Sequence, residues 1–198
     1  MAKRRKVGNL LALAVLSYLT QAPMHPYELG RTLRENGDAR SIKFNLGSLY
    51  MVVQQLEKAG FVTARETSRE GQRPERTVYA LTDAGRDEMR DWLRELVEEP
   101  LHEYPSFVAA LSLVAALPPD EVTELLGRRL ERLEAERAEI RALIDDTIAS
   151  GVHPLFMVEE DYRFDLLTAE AAFVRRFLAH IDEWRPLWAG FHRQGGQQ

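Results

Sequence analysis

The order of the patterned segments between Val7 and Leu81 constrains this chain more than any other feature: three short helical periods, then two alternating strands. Residues 7–19 are apolar nearly all round, the mark of a buried helix. Gln21-Ala22-Pro23 breaks that helix. A second helix starts near Pro26, suited to a first turn, and runs through Leu29 and Leu33 to about Glu35 before Asn36-Gly37 stops it. A third begins after Asn45, a good N-cap, and ends at Gly60, which suits a left-handed terminal position. Its inner face collects Leu46, Leu49, Val53 and Leu56. Its outer face collects Gly47, Ser48, Met51, Gln54, Gln55 and Lys58, with no acid among them. Residues 61–67 and 76–81 then alternate as strands around a polar turn with a basic tip. Thr82 caps a fourth helix, roughly residues 83–98, with Met89, Trp92, Leu93 and Leu96 on one face.

Helix, helix, helix, hairpin is the order of a winged helix-turn-helix, whose third helix lies in the major groove while the wing touches the backbone beside it. Residue type then assigns roles. Gly47 permits close approach to a phosphate at the positive helix start that Asn45 caps. Ser48, Gln54 and Gln55 offer donors and acceptors to base edges, and Gln matches adenine. Tyr50 sits on the flank, where its hydroxyl reaches a phosphate, and Met51 shares the outer face. Lys43, Lys58, Arg69, Arg73 and Arg76 supply sequence-independent attraction. Each assignment has a rival: Gln54, Gln55 and Lys58 as solvated surface, Tyr50 as a packing residue, the arginines as a polar turn. The basic run Lys3 to Lys6 reads as a solubilising tail or as an arm for a minor groove.

The second half reads as all-helical. Residues 105–117 form a short apolar segment with the pattern of a buried helix. After Pro118-Pro119-Asp120 a helix can run to about Ala149, with Leu126, Leu130, Leu133, Ile140 and Ile144 along a coiled-coil-like seam that Arg137 interrupts. A last long helix, from about Glu159, places Tyr162, Leu166, Phe173, Phe177, Ile181 and Trp184 along a stripe, and Pro186 is expected to end or kink it. The fold class expected is therefore mainly α: a winged helix-turn-helix domain with a two-stranded wing over residues 1–98, and an all-helical dimerisation domain over residues 99–198.

Charge partitions along the same division. The whole chain of 198 residues carries a formal −5, but residues 1–90 hold +5 and residues 91–198 hold −10. A basic half and an acidic half in one chain suggest that only the first meets a polyanion. Cysteine is absent, which removes disulfides, thiol nucleophiles and cysteine-based zinc sites. The longest apolar run falls short of the roughly 20 residues of a membrane span, and its basic leader has no cleavage site, so a cytoplasmic protein without membrane partners is expected.

An enzyme is the competing class. Its support is His153 near Glu159-Glu160-Asp161, together with His102, His180 and His192. No metal-ligand spacing, nucleophile elbow or phosphate-binding loop accompanies them, and the three acids suit the start of the last helix. No catalytic residue, metal or cofactor is assigned. A winged-helix protein–protein adaptor without DNA readout, or a MarR-like ligand-responsive regulator, shares the expected fold.

Several motifs resemble those of PadR-family transcriptional regulators. They are Leu13-Ala14-Val15-Leu16, Met24-His25-Pro26-Tyr27-Glu28-Leu29, Gly47-Ser48-Leu49-Tyr50 and Leu56-Glu57-Lys58-Ala59-Gly60-Phe61-Val62. The similarity continues through Val78-Tyr79-Ala80-Leu81-Thr82-Asp83-Ala84-Gly85-Arg86 and Trp92-Leu93, so the set spans about residues 10–93. This chain departs at Pro26, where the family usually has Gly, and at Met51, where it usually has Pro. The second half resembles the branch with the longer helical C-terminal domain. The resemblance implies a homodimeric repressor of double-stranded operator DNA, joined through its C-terminal helices; Leu126, Leu130, Leu133, Ile140, Phe173, Phe177 and Ile181 are the residues expected at that joint. The rival is an intramolecular hairpin that satisfies the seam within one chain. A small aromatic effector is the further partner, for which Trp92, Phe107 and Trp184 are the expected lining, with Tyr104, Tyr162, Phe173 and Trp188 near them.

Overall fold

Asn9 starts the first element of the computed structural model, which describes residues 5–65 and 77–194, the side chains of 189–194 excepted. Its amide oxygen accepts from the Leu11 N–H at 2.8 Å and caps α1, Leu10–Tyr18. Leu11, Ala12, Leu13, Ala14, Val15 and Leu16 are all buried, which is why the segment is apolar on every side. His25 caps α2, Pro26–Glu35: its Nδ1 accepts from the Tyr27 N–H at 3.1 Å, and the Glu28 carboxylate accepts from the His25 N–H at 3.1 Å. α3, Leu46–Lys58, follows and buries Leu49, Val52, Val53 and Leu56.

Gly60, at φ +80°, turns the chain out of α3 in a conformation that L side chains rarely adopt. The chain then enters β1, Val62–Arg65, which pairs antiparallel with β2, Val78–Leu81, in the register Val62↔Leu81 to Arg65↔Val78. Thr82 fixes the base of this hairpin by donating its hydroxyl to the Gly60 and Phe61 carbonyls and accepting from the Gly85 N–H at 3.0 Å. A Cβ at Gly85 would stand 2.0 Å from the Phe61 oxygen, so only glycine lets α4, Asp83–Glu98, approach the strand this closely. Leu11, Leu29, Leu49, Leu56, Phe61, Met89 and Trp92 join one core.

The Arg5 guanidinium completes this unit. It donates to Glu88 at 2.9 Å, to Asp91 at 3.2 Å and to Glu95, and lies 5.1 Å from the Trp92 ring. Burial opposes its charge, but the carboxylates outweigh that and raise its pKa further. Of the basic run Lys3 to Lys6, Arg5 is thus tied to α4 with its side chain 3 % exposed, and Lys6 lies over Phe61.

The chain divides into two compact units between Glu103 and Tyr104. The second contains α5, Ser106–Ser112, then α6, Pro119–Ala149, and α7, Val158–Gln194. α6 and α7 pack antiparallel through Val122, Leu126, Leu133, Ala171, Val174, Ile181 and Trp188, with Ile140, Ile144 and Met157 closing the turn end. Arg129–Glu170 at 2.6 Å, Arg185–Asp120 at 2.7 Å and Arg175–Glu134 tie their flanks.

Three expectations need correction. The seam of α6 is closed within one chain, so Leu126, Leu133 and Ile140, with Ile181 opposite, are buried against the chain's own hairpin. Residues 105–117 do not make a buried helix: α5 has no buried residue, and its Phe107 packs only half-buried against the α6–α7 core. Of the two outcomes expected at Pro186, an end of the helix is not found: α7 continues through it. Beyond it the Trp188 indole donates to the carbonyls of Ala115 at 3.2 Å and Leu117 at 2.9 Å, and this docking holds the turn that the proline weakens.

Candidate nucleic-acid interface

The start of α3 is set by a reciprocal cap. Asn45 Oδ1 accepts from the Ser48 N–H at 2.8 Å, and Ser48 Oγ accepts from the Asn45 N–H at 2.9 Å while donating to the Asn45 carbonyl at 2.9 Å. Both polar side chains are therefore committed to the helix start. The hydroxyl proton that the sequence reading directed to a base edge goes to the backbone, and one acceptor lone pair is left. Gly47 is exposed between them.

Further along, Met51, Gln54, Gln55 and Lys58 are exposed on one face, opposite Leu49, Val52, Val53 and Leu56. The side chains of Gln54, Gln55, Lys58 and the exposed Lys43 have no hydrogen-bond or ion-pair partner among the described residues. A face of this kind presents two amides and a cation to whatever approaches it. Tyr50 stands at its edge, partly exposed, with its ring edge-on to His25 at 6.1 Å.

The hairpin is tied to the same surface. Met24 and Tyr79 exchange backbone hydrogen bonds at 3.0 Å each, which joins the entry to α2 to β2. Burial, and then the charges of Glu57 and Tyr50, raise the Tyr79 pKa above its ordinary 10.0. His25, Tyr50 and Tyr79 thus link α2, α3 and the wing. The sequence reading missed His25 and the exposed Tyr27; the His-Pro step before a patterned helix was the available signal. Arg65 ends β1 exposed. Arg69, Arg73 and Arg76 lie outside the described residues.

The residues expected to line an effector site divide between the two units, and within the second Phe107 and Trp184 border different hollows. Trp92 is buried in the core of the first unit under Arg5. Phe107 borders a cavity of about 770 Å³ between α5 and α6, where Leu111, Leu113, Leu117 and Leu126 supply the apolar wall and Arg128 and Arg132 a basic one. The Arg129 guanidinium lies 3.5 Å from the Phe107 ring. Trp184 instead borders a groove of about 300 Å³ on α7 with Phe173, Phe177 and His180. Among the residues expected at a dimer joint, Leu130, Phe173 and Phe177 are only half-buried. Among the described residues no group of three or more His, Asp or Glu is arranged to hold a metal, and no helix is long and apolar enough to cross a membrane.

Known proteins share this arrangement. Residues 15–91 match the model of the transcriptional regulator PadR-like family. The negative transcriptional regulator PadR of Bacillus subtilis is 24 % identical over 164 residues, covering 82 % of this chain and 88 % of its own. A crystal structure of Bacillus subtilis PadR in complex with operator DNA superposes with a TM-score of 0.69 at 21 % identity, covering 87 % of this chain and 99 % of that one. One of the same protein in complex with p-coumaric acid gives 0.69 at 20 % identity, over 91 % of this chain and 99 % of that one. These likenesses establish the winged-helix fold. With the match over residues 15–91, they make that part of the chain similar to the transcriptional regulator PadR-like family.

Proposed function

We propose that this protein is a sequence-specific DNA-binding transcriptional regulator, a homodimeric cytoplasmic repressor that a small aromatic effector releases. The observation that carries the DNA reading is the outer face of α3. There Gln54, Gln55 and Lys58 stand exposed without partners among the described residues, beside Tyr50, and none of that face is acidic. Major-groove readout needs amides for base edges and cations for phosphates, and this face has both. The fold shared with the operator-bound relative supports placing α3 in the groove. The matched relatives are regulators of transcription, which supports a non-catalytic role.

In this reading residues 1–98 hold DNA and residues 99–198 hold the second copy. With the α6 seam closed, the contact between copies falls to the other face of α7, where Val158, Tyr162, Leu166, Trp184 and Leu187 lie exposed along one stripe. Phe173 and Phe177 belong to its margin. The effector reading is supported by the cavity at Phe107, whose apolar and arginine walls suit an aromatic acid, and by the p-coumaric acid complex of the relative.

Binding of Tyr50→Ala and Lys58→Ala to a selected duplex tests the interface. Tyr50→Ala should weaken binding by about tenfold, and Lys58→Ala should weaken it several-fold while lowering the slope of log affinity against log salt by about one for each copy of the chain on the duplex. Both should sediment as the parent does. Unchanged affinity in both, or a flat salt response of the parent, overturns the reading.

A further inference from the structure

Met51 is not explained by folding. It is 61 % exposed at the centre of the outer face of α3, and belongs neither to the core nor to the residues packed against it. Its neighbours on that face are Ser48 and Gly47 one turn before and Gln54 and Gln55 one turn after. Side chains on a helix lean towards its N-terminus, so Met51 covers the turn at Gly47. Gly47 has no side chain, and a Cβ built there would meet only Asn45 Oδ1, at 3.3 Å. The Gly47 side of that turn is therefore open, and Met51 is an exposed, unbranched apolar chain among polar neighbours.

A base presents one apolar group in the major groove, the C5 methyl of thymine. Cytosine, adenine and guanine offer only polar edges to a side chain at this position. A thioether cannot form a strong hydrogen bond, but it adapts its shape to a small apolar partner. We propose that Met51 is a specificity-determining residue that selects thymine by packing on its C5 methyl group. The proposal rests on the DNA reading above and adds the base that this position recognises.

Replacement of thymine by deoxyuridine removes that methyl and leaves pairing unchanged. The full chain is first used to select its preferred duplex from a random pool; each thymine of that site is then replaced singly. Parent protein should lose about fourfold in affinity at one thymine, or at a symmetry-related pair, which corresponds to ~0.8 kcal/mol for one buried methyl-sized group. Met51→Ala and Met51→Gln, altered in both copies of the proposed homodimer, should bind the thymine site with the loss that replacing both symmetry-related thymines gives the parent, and be indifferent to the replacement. A selected site at which every methyl deletion is silent, or at which the loss persists in both variants, overturns the role of Met51 and leaves DNA readout standing. A chain that selects no sequence at all overturns both.

Discussion

In the N-terminal unit Leu11, Leu29, Leu49 and Leu56 come from three helices and meet in one core, whereas in the C-terminal unit Val122, Leu126, Ala171 and Val174 come from two helices that meet along a line. Three crossing helices and a hairpin can close around a centre. Two long antiparallel helices can cover only one face each, and the rest of their apolar surface stays outside. What is exposed therefore means different things in the two units. On α3 the exposed set is mostly polar, as a surface that reads DNA must be. On α7 it includes Val158, Tyr162, Leu166 and Leu187, the last 80 % exposed, set among charged side chains such as Asp165 and Arg176.

The largest effect should come from the closed core. Leu49 is fully buried where α3 packs on its neighbours. Leu49→Ala should cost about 2–5 kcal/mol, read as a fall in the urea midpoint of the N-terminal unit that does not change with protein concentration. A cost under about 1 kcal/mol would mean that this unit is as open as the other.

The open face should answer differently. Tyr162→Lys combined with Leu166→Lys places two cations on the exposed stripe without touching the α6–α7 core. Self-association, followed by sedimentation, should weaken at least tenfold, or about 1.4 kcal/mol, while far-UV helix content at high dilution stays the same. A parent chain that sediments as a monomer at tens of micromolar would remove the dimer from the proposal and leave the stripe without a partner.

The same contrast explains what was legible in the sequence. Asn45 and Thr82 mark helix starts by accepting from N–H groups three positions on, Gly60 marks an end by its left-handed turn and Pro26 a start by its fixed φ, and each stands where those local rules put it. The outer face of α3 follows from its period alone. Periodicity shows which side of α6 is apolar, but it cannot tell whether the matching face belongs to α7 or to another copy, so both readings of the seam stand in the sequence and the structure closes it on α7. Composition misled at residues 105–117, because apolar content reports a need for burial and not its supply. The clamp of Arg5 on Glu88, Asp91 and Glu95 spans more than eighty residues and has no local signal. Trp92 was grouped with distant aromatics by chemistry, whereas its place on α4 puts it in the first core. Ser48 was read by type as a donor to bases, and only the geometry of the cap shows where its proton goes.

The smallest effect is a pH dependence that should appear in the N-terminal unit. Tyr79 sits on β2 opposite Ala64, bonded through its backbone to Met24, and burial followed by the charge of Glu57 raises its pKa above 10.0. Below about pH 10 the phenol is neutral in both the folded and the unfolded chain and contributes no pH dependence. Above that value the unfolded chain releases the proton while the folded one holds it, so stability falls as pH rises through the folded pKa. Thermal melts of the parent should therefore decline more steeply between pH 10 and 11 than those of Tyr79→Phe, with the difference confined to the N-terminal transition. Equal slopes would mean that the hydroxyl is solvated, and the link from β2 to the flank of α3 would then rest on the Met24 backbone pair alone.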